Sequence, residues 1–133
     1  MSSPVTGYRK GASSKVRCID VAALVASAVL RRNRDARMLP FEVGVVPLKL
    51  DPFARIAVNA AKLASIGGGG TNVSAPLALL NAEGAMVDLV VIVSDNESWV
   101  DSTRHGATAT MLEWNRLKKR CAAAKLVCID LQP

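Results

Sequence analysis

Ala85-Met-Val-Asp88-Leu89-Val-Val-Ile-Val-Ser94-Asp95-Asn96-Glu97-Ser-Trp99 is the stretch on which the fold turns. Five of the six residues from Leu89 to Ser94 are apolar and four of them are β-branched. A strand buried on both faces reads this way. The run then turns polar at Ser94-Asp95-Asn96-Glu97. A carboxylate just past the carboxyl end of a buried parallel strand stands where open α/β sheets place ligands. Upstream lies a second unusual stretch, Gly67-Gly-Gly-Gly70-Thr71-Asn72. The two are expected to form opposite walls of one site.

Outward from these stretches, apolar strands alternate with helices. A helix is expected from about Lys15 to Arg34, with Ile19, Ala22, Ala23, Ala26, Val29 and Leu30 at helical spacing. Arg31, Arg32, Arg34 and Arg37 close it, at the negative end of its dipole. Met38 to Val46 reads as a strand with an unpaired start at Pro40, and Val46 to Leu50 as a short strand hairpin-paired with it. Asp51-Pro52 is the expected N-cap and first residue of a helix that carries Ile56, Ala60, Leu63 and Ala64 inward and stops at Gly67. Ser74-Ala75-Pro76 opens another helix, closed by Gly84. After the main strand, Asp101 or Ser102 caps a helix to about Ala124, with Met111, Trp114, Leu117 and Cys121 on one face. Lys125 to Asp130 is a second buried-type strand. The expected fold class is α/β: an open, mainly parallel, Rossmann-like sheet with helices on both faces, in a single domain spanning residues 1–133.

Composition narrows the function classes. The chain is 50% hydrophobic and 21% charged, which argues against disorder. Its net charge of +6 permits an acidic partner such as RNA without requiring one. The three cysteines, Cys18, Cys121 and Cys128, show no CxxC spacing; a reducing cytoplasm fits better than a disulfide scaffold or a zinc site. Val21 to Leu30 is too short to span a bilayer, so no membrane is expected.

The glycine loop fails both phosphate-binding tests. No lysine precedes Thr71, as a P-loop requires, and the glycines follow a helix where a dinucleotide fingerprint follows a strand. A mobile linker is the plain reading; a close backbone approach is the sharper one, because consecutive glycines are costly to order. Thr71 and Asp95 each have a plain reading as a helix-flanking hydroxyl and a turn residue. As a pair they are hard oxygen donors of the type magnesium or manganese accepts. Asn72, Ser74, Asn96 and Glu97 would support that site. Arg116, Lys118, Lys119 and Arg120 form a basic run that reads as a solvated helix face or as a phosphate contact. His105 is the only histidine, which leaves no convincing nucleophilic triad.

Gly68-Gly-Gly-Thr71-Asn72-x-Ser74-x-Pro76-Leu77, followed by Asp88-Leu-Val-Val-x-Val-Ser-Asp95-Asn96-Glu97-Ser98, resembles the von Willebrand factor A domain of TROVE-module proteins. These are the Ro-type RNA-binding proteins of animals and bacteria, and the bacterial branch is the nearer match. The resemblance implies a metal-ion-dependent adhesion site in which Thr71 and Asp95 are ligands. The site's third element, Asp-x-Ser-x-Ser, occurs nowhere in the chain. Met1-Ser-Ser-Pro-Val-Thr-Gly reads as the continuation just past it, and whether Met1 is the native start stays open.

By the same resemblance the central first strand is missing from an order of 3-2-1-4-5-6, which leaves two strand edges facing each other. Either the strands around residues 41–46 and 88–94 close together, or a protein partner or second copy fills the slot. A divalent cation is expected to bind weakly or not at all, and RNA to be reached through a larger protein. The implied function is a non-enzymatic interaction domain of a noncoding-RNA particle serving RNA quality control. The alternatives are a metal-dependent phosphohydrolase or phospho-acceptor domain using Asp95, and a non-functional gene fragment. The enzyme reading lacks companion acidic residues, since Asp20 falls in a helix and Asp130 ends its strand alone.

Overall fold

The computed structural model describes residues 1–6, 14–67, 69–95 and 108–132. Six elements follow in order: α1 (Cys18–Arg32), α2 (Ile56–Ala64), α3 (Ser74–Ala82), β1 (Leu89–Ser94), α4 (Ala109–Arg120) and β2 (Lys125–Asp130). β1 and β2 pair in parallel, Leu89 opposite Lys125 through Ser94 opposite Asp130. The connection between parallel neighbours carries α4, as such crossovers require. The fold class is therefore α/β.

Periodicity explains which faces are buried. α1 turns Cys18, Ala23, Ser27 and Leu30 inward. Its start is held by Asp20, whose carboxylate accepts from the Arg17 backbone N–H at 2.8 Å and from the guanidinium at 2.7 Å. Those hydrogen bonds hold the Asp20 carboxyl below the usual carboxylate range. α2 packs on α1. On the other side of the molecule, Leu77 and Leu80 of α3, Ile92 of β1, Leu117 of α4, Cys121 and Ala124 form one buried cluster. Gly84, at φ 63°, ends α3 in a left-handed turn that other residues rarely adopt.

The sheet is smaller and barer than the sequence suggests. Val90 and Ile92 face the α3–α4 cluster. Alternation puts Leu89 and Val91 on the opposite face, where they are exposed, as is Val127 of β2. Helices thus cover one face well and leave apolar side chains open on the other.

Residues 38–50 form neither expected strand; their only pairing is an isolated bridge between Phe41 and Val45. A strand needs a neighbouring ladder, and this segment finds none among the described residues. The Val46 N–H bonds back to Pro40 and the Glu42 N–H to Gly44. Leu30, Met38, Leu39, Val46, Leu48 and Leu79 instead border an open groove of about 740 Å³.

Two helix starts also move. Asp51 does not cap a helix; it accepts the Phe53 N–H at 2.9 Å in a preceding turn, and α2 begins after Arg55. α4 begins at Ala109 behind Thr108, whose hydroxyl accepts the Met111 N–H at 3.2 Å. Asp101 and Ser102, the expected caps, lie outside the described residues. No helix among the described residues is long and apolar enough to cross a membrane.

Candidate functional site

Asp95 follows the last residue of β1 and is 1% exposed. It is held at depth because β1 is tied along its length to β2 and beyond it, with the Leu131 N–H donating to the Ser94 carbonyl at 2.8 Å. Neither Asp95 carboxylate oxygen accepts a hydrogen bond among the described residues. Neutralisation comes from an ion pair: the α-amino group of Met1 lies against Oδ2. Residues 1–5 reach that position by running antiparallel over the start of α1. The Ile19 N–H donates to the Met1 carbonyl, the Cys18 N–H to Ser3 and the Val5 N–H to Val16, all at 2.9 Å. A charge this deep requires such a partner, since an isolated buried carboxylate is strongly disfavoured.

The glycine loop lies at the start of α3. Its purpose in the fold is a close approach to the Phe41–Val45 turn. The Asn72 N–H donates to the Glu42 carbonyl at 2.7 Å, and the Asn72 side-chain amide donates to the Val43 carbonyl at 3.0 Å. The Asn72 side-chain oxygen in turn accepts from the Ser74 hydroxyl at 2.7 Å and the Ser74 N–H at 3.2 Å. Thr71, which precedes them, is half-buried.

A Cβ added at Gly69 would stand 2.5 Å from Glu42 Oε2 and 2.9 Å from its Cβ, whereas one at Gly67 would meet nothing nearer than 3.8 Å. Gly69→Ala is therefore expected to destabilise the fold by about 1–3 kcal/mol through overpacking, and Gly67→Ala to leave it nearly unchanged. Urea denaturation of the two variants checks this; equal midpoints would remove the close approach as the reason for the glycines.

Asn72 and Ser74 are thus brought together, and Asp95 is joined by Met1, which nothing in the sequence marks. Asn96 and Glu97 lie outside the described residues, as do Trp99 and His105. Thr71 offers one hydroxyl and Asp95 one carboxylate, well short of an octahedral oxygen shell. No group of three or more His, Cys, Asp or Glu among the described residues is placed to hold a metal ion.

The basic run on α4 is largely committed to the fold. Arg120 donates to the Ala85 carbonyl at 3.0 Å, to Leu80 and to Asn81. Lys118 donates to the carbonyls of Ala122 and Ala124, closing the helix end. Arg116 pairs with Glu113 at 2.7 Å, and Lys119 is exposed.

Among known proteins, no curated one matches the chain. The Ro60 vWA domain family matches it over residues 1–132. That span takes in the glycine loop at α3, the parallel β1–β2 pair and the buried aspartate at the end of β1, so the chain belongs to the Ro60 vWA domain family.

Proposed function

We propose that this chain is a non-enzymatic interaction domain, acting as the von Willebrand factor A part of a TROVE-module RNA-binding protein in a noncoding-RNA particle. RNA would be reached through that larger protein, and a cytoplasmic location suits its free cysteines. The supporting observation is the state of β1. Only one of its edges is paired among the described residues, its outer face exposes Leu89 and Val91, and its carboxyl end meets Met1 at Asp95. An apolar strand laid parallel along the open edge would take up its unpaired backbone groups, and its carboxyl end would arrive beside Asp95. A protein partner, or a second copy, supplying such a strand is the interaction this surface fits.

The metal site follows from the same geometry. With Asp95 neutralised by an ammonium and Thr71 offering a single hydroxyl, magnesium or manganese is expected to bind weakly or not at all. An arriving strand and its following loop would bring further hard ligands to Asp95.

The test compares this chain with one extended before Met1 by a short apolar strand and an Asp-x-Ser-x-Ser sequence. Thermal unfolding is followed with and without manganese. The extended chain is expected to gain stability, about 2.7 kcal/mol at 100 times the dissociation constant, and to lose that gain in Asp95→Ala. The 133-residue chain is expected to show no shift. A manganese shift in the unextended chain, or none in the extended one, overturns the reading.

A further inference from the structure

Pro47-Leu48-Lys49-Leu50 lines the open groove of about 740 Å³, together with Leu30 of α1, Leu39 and Leu79 of α3. Leu48 and Leu50 are half-buried, and Pro47 and Lys49 between and before them are exposed. That alternation has the period of a strand. What the segment lacks is a ladder. Among the described residues, the backbone N–H and C=O groups of Leu48, Lys49 and Leu50 take no hydrogen bond, and neither do those of Leu39. The groove therefore offers apolar side chains and unpaired main-chain groups in the same place.

Its charge is one-sided. Among the described residues that line it, the ionisable ones are Arg37 and Lys49. Arg37 is already matched by Glu83 at 2.6 Å, whereas Lys49 has no acidic partner among the described residues. Different occupants meet these features differently. An acyl chain would cover the leucines and leave the main-chain groups bare. A base finds no aromatic ring in the lining to stack on. A second copy laid antiparallel, with Leu48 opposite Leu50, would set Lys49 against Lys49, and like charges directly opposite are destabilising. Lysine and proline on an open edge guard against such indiscriminate pairing. An extended peptide that alternates apolar and acidic residues meets all three demands: the leucines, the main-chain groups and the unmatched cation.

We propose that residues 47–50 are a β-addition site for an extended acidic peptide of a partner protein. The peptide's apolar residues lie beside Leu48 and Leu50, its main chain bonds to theirs, and a carboxylate stands opposite Lys49. Lys49 thus repels a second copy and selects an acidic strand. The proposal is independent of the open β1 edge and of Asp95.

Fluorescence anisotropy with short, labelled, end-capped peptides tests it. A peptide alternating valine with glutamate is expected to bind about two- to fivefold more tightly than one alternating valine with glutamine, the scale of one cross-strand charge pair. A valine–lysine peptide is expected to bind more weakly still. Lys49→Glu is expected to reverse that order, and Lys119→Gln, on α4, to leave it unchanged. Two further valine–glutamate peptides are N-methylated at alternate residues, in opposite phase. One is expected to lose binding and the other to keep it, because a strand bonds to its neighbour along one edge only. Circular dichroism melts confirm that the variants fold; should Lys49→Glu not fold, the two N-methylated peptides carry the test on the parent chain. The proposal is overturned by the same order of peptides on the parent and on Lys49→Glu, by equal binding of the two N-methylated peptides, by displacement of the peptide with a fatty acid as readily as with unlabelled peptide, or by no binding up to about 1 mM peptide.

Discussion

Leu117→Ala is expected to destabilise the chain by about 3–5 kcal/mol, the largest loss from any single aliphatic truncation here. Leu117 is fully buried, against Leu77 and Leu80 of α3 and Ile92 of β1. It packs α4 into the cluster that includes β1, and α4 is the only element between β1 and β2 among the described residues. The loss combines the lost burial of three carbons with the cavity left behind. Against a total of about 5–15 kcal/mol for an ordinary domain, it removes a large share. Urea denaturation should show the midpoint falling with little change in slope. Met111→Ala, on the same helix but 44% exposed, should stay within about 0.5 kcal/mol of the parent. A Leu117→Ala midpoint equal to the parent's would mean that the α3–α4 cluster does not carry the fold.

Acetylation of the Met1 α-amino group is expected to cost nearly as much, about 3–5 kcal/mol, by stranding the Asp95 charge. The side chain of Asp95 is fully shielded from solvent and its oxygens take no hydrogen bond among the described residues, so the ammonium is its compensation. The diagnostic result is the cycle. In Asp95→Asn, which has no charge to strand, acetylation should cost little, and the difference between the two backgrounds measures the pair. Equal losses in both would assign the effect to packing of residues 1–5 rather than to charge. The same reasoning sets the terms for a cation: whatever replaces the ammonium beside Asp95 has to bring positive charge with it.

The sequence was most legible where one segment carries its own burial pattern. Leu89 to Ser94 and Lys125 to Asp130 are strands as their apolar runs predict, α1 and α3 sit where helical spacing puts them, and α4 is the core of a helix expected to be longer at both ends. Residues 38–50 show the limit. Their alternation is genuine strand chemistry, but a strand is a relation between two segments, and the neighbour that would complete it is not beside them. Asp51-Pro52 shows another: it has the residues of a helix start, yet the Asp51 carboxylate is taken up by a turn two residues on.

At the site, Asp95 and the Gly67–Asn72 loop were visible as anomalies of composition. The ion pair at Asp95 was not, because an α-amino group has no residue type to announce it. The basic residues of α4 read as a solvated helix face or a phosphate contact, and sequence alone does not show that Lys118 and Arg120 reach backbone carbonyls.

The hydrogen bond from Gln132 to the Pro4 carbonyl, at 2.7 Å, spans nearly the whole chain, and the ion pair from Met1 to Asp95 spans more than two thirds of it. The contacts within the α1–α2 pair, and within the α3–β1–α4–β2 unit, close far shorter loops. Loop closure has to precede the reward of a distant contact, so nearby pairings form first. Self-assembly of this polypeptide is therefore expected to proceed as two locally built halves, with Asp95 acquiring its counter-charge in the closing event. A nascent or partly unfolded molecule carries that carboxylate in water, where it is cheap, and buries it only once the halves meet.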